Sequence, residues 1–79
     1  MNQRLVKILA DVFRIPETEV QPSLTKDDVG SWDSLKQMDL VVTLEGEYGI
    51  TLELPDILQM LSVATIINVL IAKGVNLED

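Results

Sequence analysis

The sequence predicts an all-α fold, a small four-helix bundle of three main helices and one short third helix, with a long loop between the first and second. Three observations predict it: apolar residues recur at helical spacing in separate segments, proline and glycine stand where helices start or stop, and residues 17 to 33 are too rich in turn formers to continue a helix. A chain of 79 residues makes one small domain, 1–79, near the lower size limit for folding unaided. It has no cysteine to staple it, so packing of apolar faces must supply its stability.

The first helix is expected over residues 2 to 14, where Leu5, Ile8, Leu9, Val12 and Phe13 share a face opposite Gln3, Arg4, Lys7, Asp11 and Arg14. Ile15-Pro16 ends it, because a residue before proline is pushed out of the α region. The long connection that follows carries Pro22, Asp27, Asp28 and Gly30, and its Val20, Leu24, Val29 and Trp32 suggest that it is pinned to the core. A second helix should run over residues 34 to 48, stopped by Gly49. Pro55 suits the first turn of a brief third helix over residues 54 to 60. Ser62 can cap a final helix over residues 63 to 73, with Val63, Ile66, Ile67 and Leu70 on one face and Gly74 after it. Its β-branched residues make a strand over residues 63 to 71 the local rival.

Composition excludes several classes of function. With neither histidine nor cysteine, a Ser-His-Asp or Cys-His arrangement is impossible and no metal site or catalytic residue is expected. Any thiol chemistry must use an imported thiol. The formal charge is −7, and from residue 15 onward twelve acids face three bases. That field repels nucleic acid and anionic lipid and favours basic protein surfaces. Arg4, Lys7 and Asp11 interrupt any apolar signal core, and no run reaches the roughly 18 apolar residues of a membrane span. A cytoplasmic monomer is the expectation.

The second helix carries two apolar stripes. Leu40, Val41, Leu44 and Tyr48 fall within one arc at about 100° per residue, which suffices for the core. Leu35, Met38 and Val42 form another, bordered by Asp39 and Glu45 and beginning beside Ser34. They serve either as a docking face for a transient partner or as packing beneath the long loop, with Trp32 and Val29 above them. Asp39, Glu45 and Glu47 would steer a basic partner or simply form a solvated face. Ser34 likewise has two roles open to it. It could cap the helix through the Ser-x-x-Gln box of Ser34 and Gln37, or Asp33 could cap and leave the Ser34 hydroxyl outward.

Asp33-Ser34-Leu35, opening a helix that closes with Glu45-Gly46-Glu47-Tyr48-Gly49-Ile50, resembles the prosthetic-group site of acyl and peptidyl carrier proteins. The resemblance covers roughly residues 2 to 73, and the long first loop belongs to it. It implies that Ser34 bears 4′-phosphopantetheine, delivered from coenzyme A by a phosphopantetheinyl transferase. Asp33 would help to position the site and Leu35 would contact the transferase. Acyl or aminoacyl groups would ride on the arm as thioesters, loaded by a ligase or transferase and passed to biosynthetic enzymes. The partner-binding set would comprise Trp32, Leu35, Met38, Asp39, Val42, Glu45 and Glu47. Fatty-acid carriers usually have a small residue where Trp32 stands and often an acid where Lys36 stands. Gly46 interrupts an acidic run, and residues 54 to 61 have Asp56 as their only acid. Trp-Asp-Ser-Leu therefore looks more like a discrete carrier of a specialised pathway than one of general fatty-acid synthesis.

Two other functions compete with a carrier. A helical interaction module could use Leu35, Met38 and Val42 without a prosthetic group, and would tolerate Ser34→Ala. A hydrolase using Ser34 as nucleophile lacks a histidine base and an evident oxyanion site.

Overall fold

Asn2 starts the first helix by accepting a hydrogen bond on its side chain from the Leu5 N–H at 3.0 Å. The computed structural model describes residues 1–78 and places four α-helices along them: α1 (Gln3–Phe13), α2 (Ser34–Tyr48), α3 (Leu54–Gln59) and α4 (Val63–Ala72). Asp79, the end of the expected domain, lies outside the described residues. Helix α1 buries Leu5, Ile8, Leu9, Val12 and Phe13 as expected, together with Val6 and Ala10. Its stop differs. Arg14 adopts a left-handed conformation (φ 57°, ψ 49°), and the Ile15 N–H reaches back to the Ala10 carbonyl at 3.1 Å. The chain thus turns one residue before the proline effect could act, in the manner of a Schellman cap.

Tertiary pairing, more than local propensity, organises the long connection. It forms two short 3₁₀ turns, Glu17–Glu19 and Lys26–Asp28, and buries Val20, Val29 and Trp32. Lys26 N–H donates to the Leu61 carbonyl at 2.9 Å and Val63 N–H to the Leu24 carbonyl at 2.9 Å, around an isolated antiparallel bridge between Thr25 and Ser62. The loop is therefore tied to the start of α4 by main-chain bonds.

Helix α2 contributes Leu40, Val41 and Leu44 to the core and ends at Gly49, whose φ of 63° glycine adopts without steric cost. Tyr48 is half-buried, and the Arg4 guanidinium lies 4.9 Å from the centre of its ring. Helix α3 begins with a capping box between Glu53 and Asp56 and ends at Gln59, one residue short of expectation. Helix α4 is capped reciprocally by Ser62 and Thr65, and no strand forms over its β-branched residues. Its buried face is Val63, Ile66, Val69 and Leu70, whereas Ile67 is only partly covered. Helix α1 packs on α2 and α3 on α4, around Leu5, Leu9, Leu40, Leu44, Met60, Ile66 and Leu70. This core holds the first turn of α2 at the molecular surface.

Candidate functional site

Asp33 caps α2. Its Oδ1 accepts from the Lys36 N–H at 2.9 Å while its carbonyl accepts from the Gln37 N–H at 2.8 Å. Ser34 consequently occupies the first helical position and is exposed. Among the described residues nothing bonds to its hydroxyl, which is left to solvent. The N–H groups of Ser34 and Leu35 belong to the first turn, where a helix has no intrahelical acceptors for its donors. An exposed hydroxyl beside such donors fits a phosphodiester well, since the helix dipole there favours an anion.

Leu35 is 82% exposed, Met38 52% and Val42 63%, so the outer stripe stands in solvent and does not pack beneath the loop. Ser31, Asp33, Leu35, Lys36, Met38, Asp39 and Val42 line an open depression beside Ser34. Asp39 sits at its edge, 3.8 Å from the Lys36 ammonium. Glu45 borders the stripe on the other side, where its carboxylate accepts from the Leu52 N–H at 2.8 Å. A second cleft, beneath the long connection, shares only Ser31 with this depression.

Two residues of the expected partner-binding set lie elsewhere. Trp32 is only 3% exposed: its ring lies 4.4 Å from that of Phe13, and its indole N–H donates to Gln37 Oε1 at 2.6 Å. It belongs to the core, because a large ring with one donor is best satisfied where packing and an acceptor coincide. Glu47 stands about 140° round the helix from Val42. There Arg4 Nη2 donates to both its carboxylate, at 3.0 Å, and its carbonyl, at 2.6 Å. Sequence reasoning offered Gln37 only as the capping-box partner of Ser34, whereas with Asp33 as the cap its amide joins Trp32 to α3, and it missed the outward leucines Leu54, Leu58 and Leu61. Their signals were a polar residue on the core arc of α2 and the i, i+4, i+7 spacing.

Among the described residues no group of three or more His, Cys, Asp or Glu could hold a metal, and no helix is long and apolar enough to cross a membrane. The profile of the family described as "Phosphopantetheine attachment site" matches residues 3–70. A protein of Petrotoga mobilis (strain DSM 10674 / SJ95) named "Acyl carrier protein" is 29% identical over 77 residues, spanning 98% of this chain and 89% of that protein. An all-helical chain whose α2 opens at an exposed serine, matched over most of its length by that profile, belongs to the acyl carrier protein family, whose members bear covalent 4′-phosphopantetheine and are carriers and not catalysts.

Proposed function

We propose that Ser34 is the attachment point and that the chain presents acyl or aminoacyl thioesters to the enzymes of a specialised biosynthetic pathway in the cytoplasm, as a monomer. The observation that carries this reading is the division of labour at the start of α2: Asp33 takes the cap, and the Ser34 hydroxyl is exposed without a partner among the described residues. Ser34 Oγ would attack the phosphate of coenzyme A that bears the pantetheine arm. The new Oγ–P bond forms as the pyrophosphate P–O bond breaks, the nucleotide bisphosphate leaves, and a base of the phosphopantetheinyl transferase takes the hydroxyl proton. The first-turn N–H groups of α2 favour the resulting anion. When attached, the group supplies the thiol that this sequence lacks.

Leu35, Met38 and Val42 would give a loading ligase or transferase, and the enzymes downstream, an apolar contact to desolvate. Asp39 and Glu45 flank that contact and suit a partner surface ringed by lysine and arginine. Trp-Asp-Ser-Leu, Lys36 and the interrupted acidic run support a specialised pathway over general fatty-acid synthesis. Intact mass after incubation with coenzyme A and a promiscuous phosphopantetheinyl transferase tests the attachment. Wild type should gain one phosphopantetheinyl group and folded Ser34→Ala none. No gain by folded wild type would leave an interaction module working through Leu35, Met38 and Val42.

A further inference from the structure

Gln37 stands on the core-facing side of α2, and each group of its side-chain amide is used. Its Oε1 accepts from the Trp32 indole at 2.6 Å, while Nε2 donates to the Ile57 carbonyl at 3.1 Å and the Met60 carbonyl at 3.2 Å. An amide NH₂ has two hydrogens to give, and both go to the C-terminal end of α3. The Ile57 carbonyl already accepts from the Met60 N–H at 3.1 Å, and Gln37 adds a second bond there and one to the Met60 carbonyl just past the helix, so it acts as a cap supplied by another helix.

Helix α3 depends on outside support. It has six residues, fully buries none of their side chains, with only Ile57 packed partly on the core and Met60 buried just after it, and is far below the length at which a helix holds itself in water. Its near end is tied to α4 by Asp56 and Lys73 at 2.8 Å, and its far end is joined to α2 through Gln37. Gln37 is in turn oriented by Trp32, whose ring is fixed against Phe13. The two members of this relay bracket Ser34 in sequence. Beyond it, α3 and the residues just after it turn Leu54, Leu58 and Leu61 outward, 66%, 65% and 54% exposed.

We propose that Trp32 and Gln37 form a latch that fixes α3 against the start of α2, so that the outward leucines of α3 keep a set position relative to Leu35, Met38 and Val42 when a partner docks. This rests on the docking reading above, and the occupant is the same: a protein with an apolar patch ringed by basic residues, complementary to a chain of net charge −7. Trp32 and Gln37 are positioning residues here. They act on recognition through α3 and not by touching the partner.

Gln37→Met keeps an unbranched side chain and removes the bonds, whereas Trp32→Phe keeps a ring on Phe13 and removes the indole donor together with part of the buried ring volume. In unmodified Gln37→Met protein, amide hydrogen exchange over residues 57 to 61 should accelerate about tenfold or more, with the amides of α1 unchanged. Trp32→Phe should move the same amides in the same direction by less. In phosphopantetheinyl transfer, both variants should raise KM for the carrier severalfold and leave kcat within about twofold, because the chemistry at Ser34 is untouched. Unchanged exchange near α3 in either folded variant would overturn the latch. Faster exchange with an unchanged KM, or a loss confined to kcat, would overturn its part in recognition. Should Gln37→Met fail to fold, Trp32→Phe decides both points. Wild type that accepts no group would overturn the attachment reading and with it the recognition role, whereas exchange on unmodified protein judges the latch alone.

Discussion

At the scale of single residues, the Asp33–Ser34 pair separates stability from chemistry. Asp33 satisfies the Lys36 N–H, so Asp33→Ala should cost about 1 kcal/mol, read as a lowered urea midpoint at constant m-value. Ser34→Ala should stay within about 0.5 kcal/mol of wild type, because the hydroxyl is exposed and bonds to nothing described. Equal losses would make Ser34 the cap and remove the argument for a free hydroxyl. Sequence alone left this choice open, since aspartate and serine are both good caps and a shift of one residue in the helix start exchanges their roles. Trp32 was harder still. The sequence offered it both as an anchor of the long loop and as part of the partner-binding set, and the meeting of Phe13 and Gln37 around its ring places it in the core.

Among the elements, α2 combines a good start and stop with a weak interior residue. Gly46 lies on the exposed side, and a Cβ added there would meet nothing within 4 Å. Gly46→Ala should therefore stabilise the fold by about 0.5–1 kcal/mol, through the smaller entropy of the unfolded chain and better helix propensity. A lowered denaturation midpoint would show that α2 is strained there in a way its open surroundings conceal. The helices α1, α2, α3 and α4 were legible because apolar spacing, Pro55, Ser62, Gly49 and Gly74 agree with one another. The stop of α1 was not legible, because Arg14 has no local preference for the left-handed conformation that the tertiary fold imposes. The buried face of α4 was legible at Val63, Ile66 and Leu70 but not at its fourth residue. Apolar residues surround that helix, and the choice of Val69 over Ile67 is made by what packs against it.

For the molecule as a whole, charge acts on association and on folding in separable ways. Asp39→Lys should slow association with a basic-rimmed partner, and added salt should slow wild type likewise. Glu47→Lys should alter the rate less, since Glu47 faces Arg4 on the other side of α2. Stopped-flow association rates over a salt series would check both, and salt-independent rates would sink the steering idea. Folding answers to different groups. Lys73 holds the Asp56 carboxyl below its ordinary range, helped by the Glu53 N–H, and Asp56 raises Lys73 in return. Burial raises the Tyr48 hydroxyl, with Arg4 opposing and Glu47 adding to the shift. A lowered carboxyl contributes stability that is present above about pH 4 and lost as pH falls through its depressed value. Raised groups contribute below about pH 10 and lose that contribution as pH climbs through their raised values. Stability should therefore be flat between about pH 5 and 9 with respect to these groups and decline on both sides. Lys73→Met removes the partner of Asp56, so it should soften the acid limb and shrink the alkaline one to the part due to Tyr48. Thermal melts from pH 2 to 11 test this, and acid limbs of equal slope in wild type and Lys73→Met would show that the link between α3 and α4 does not govern the response to acid.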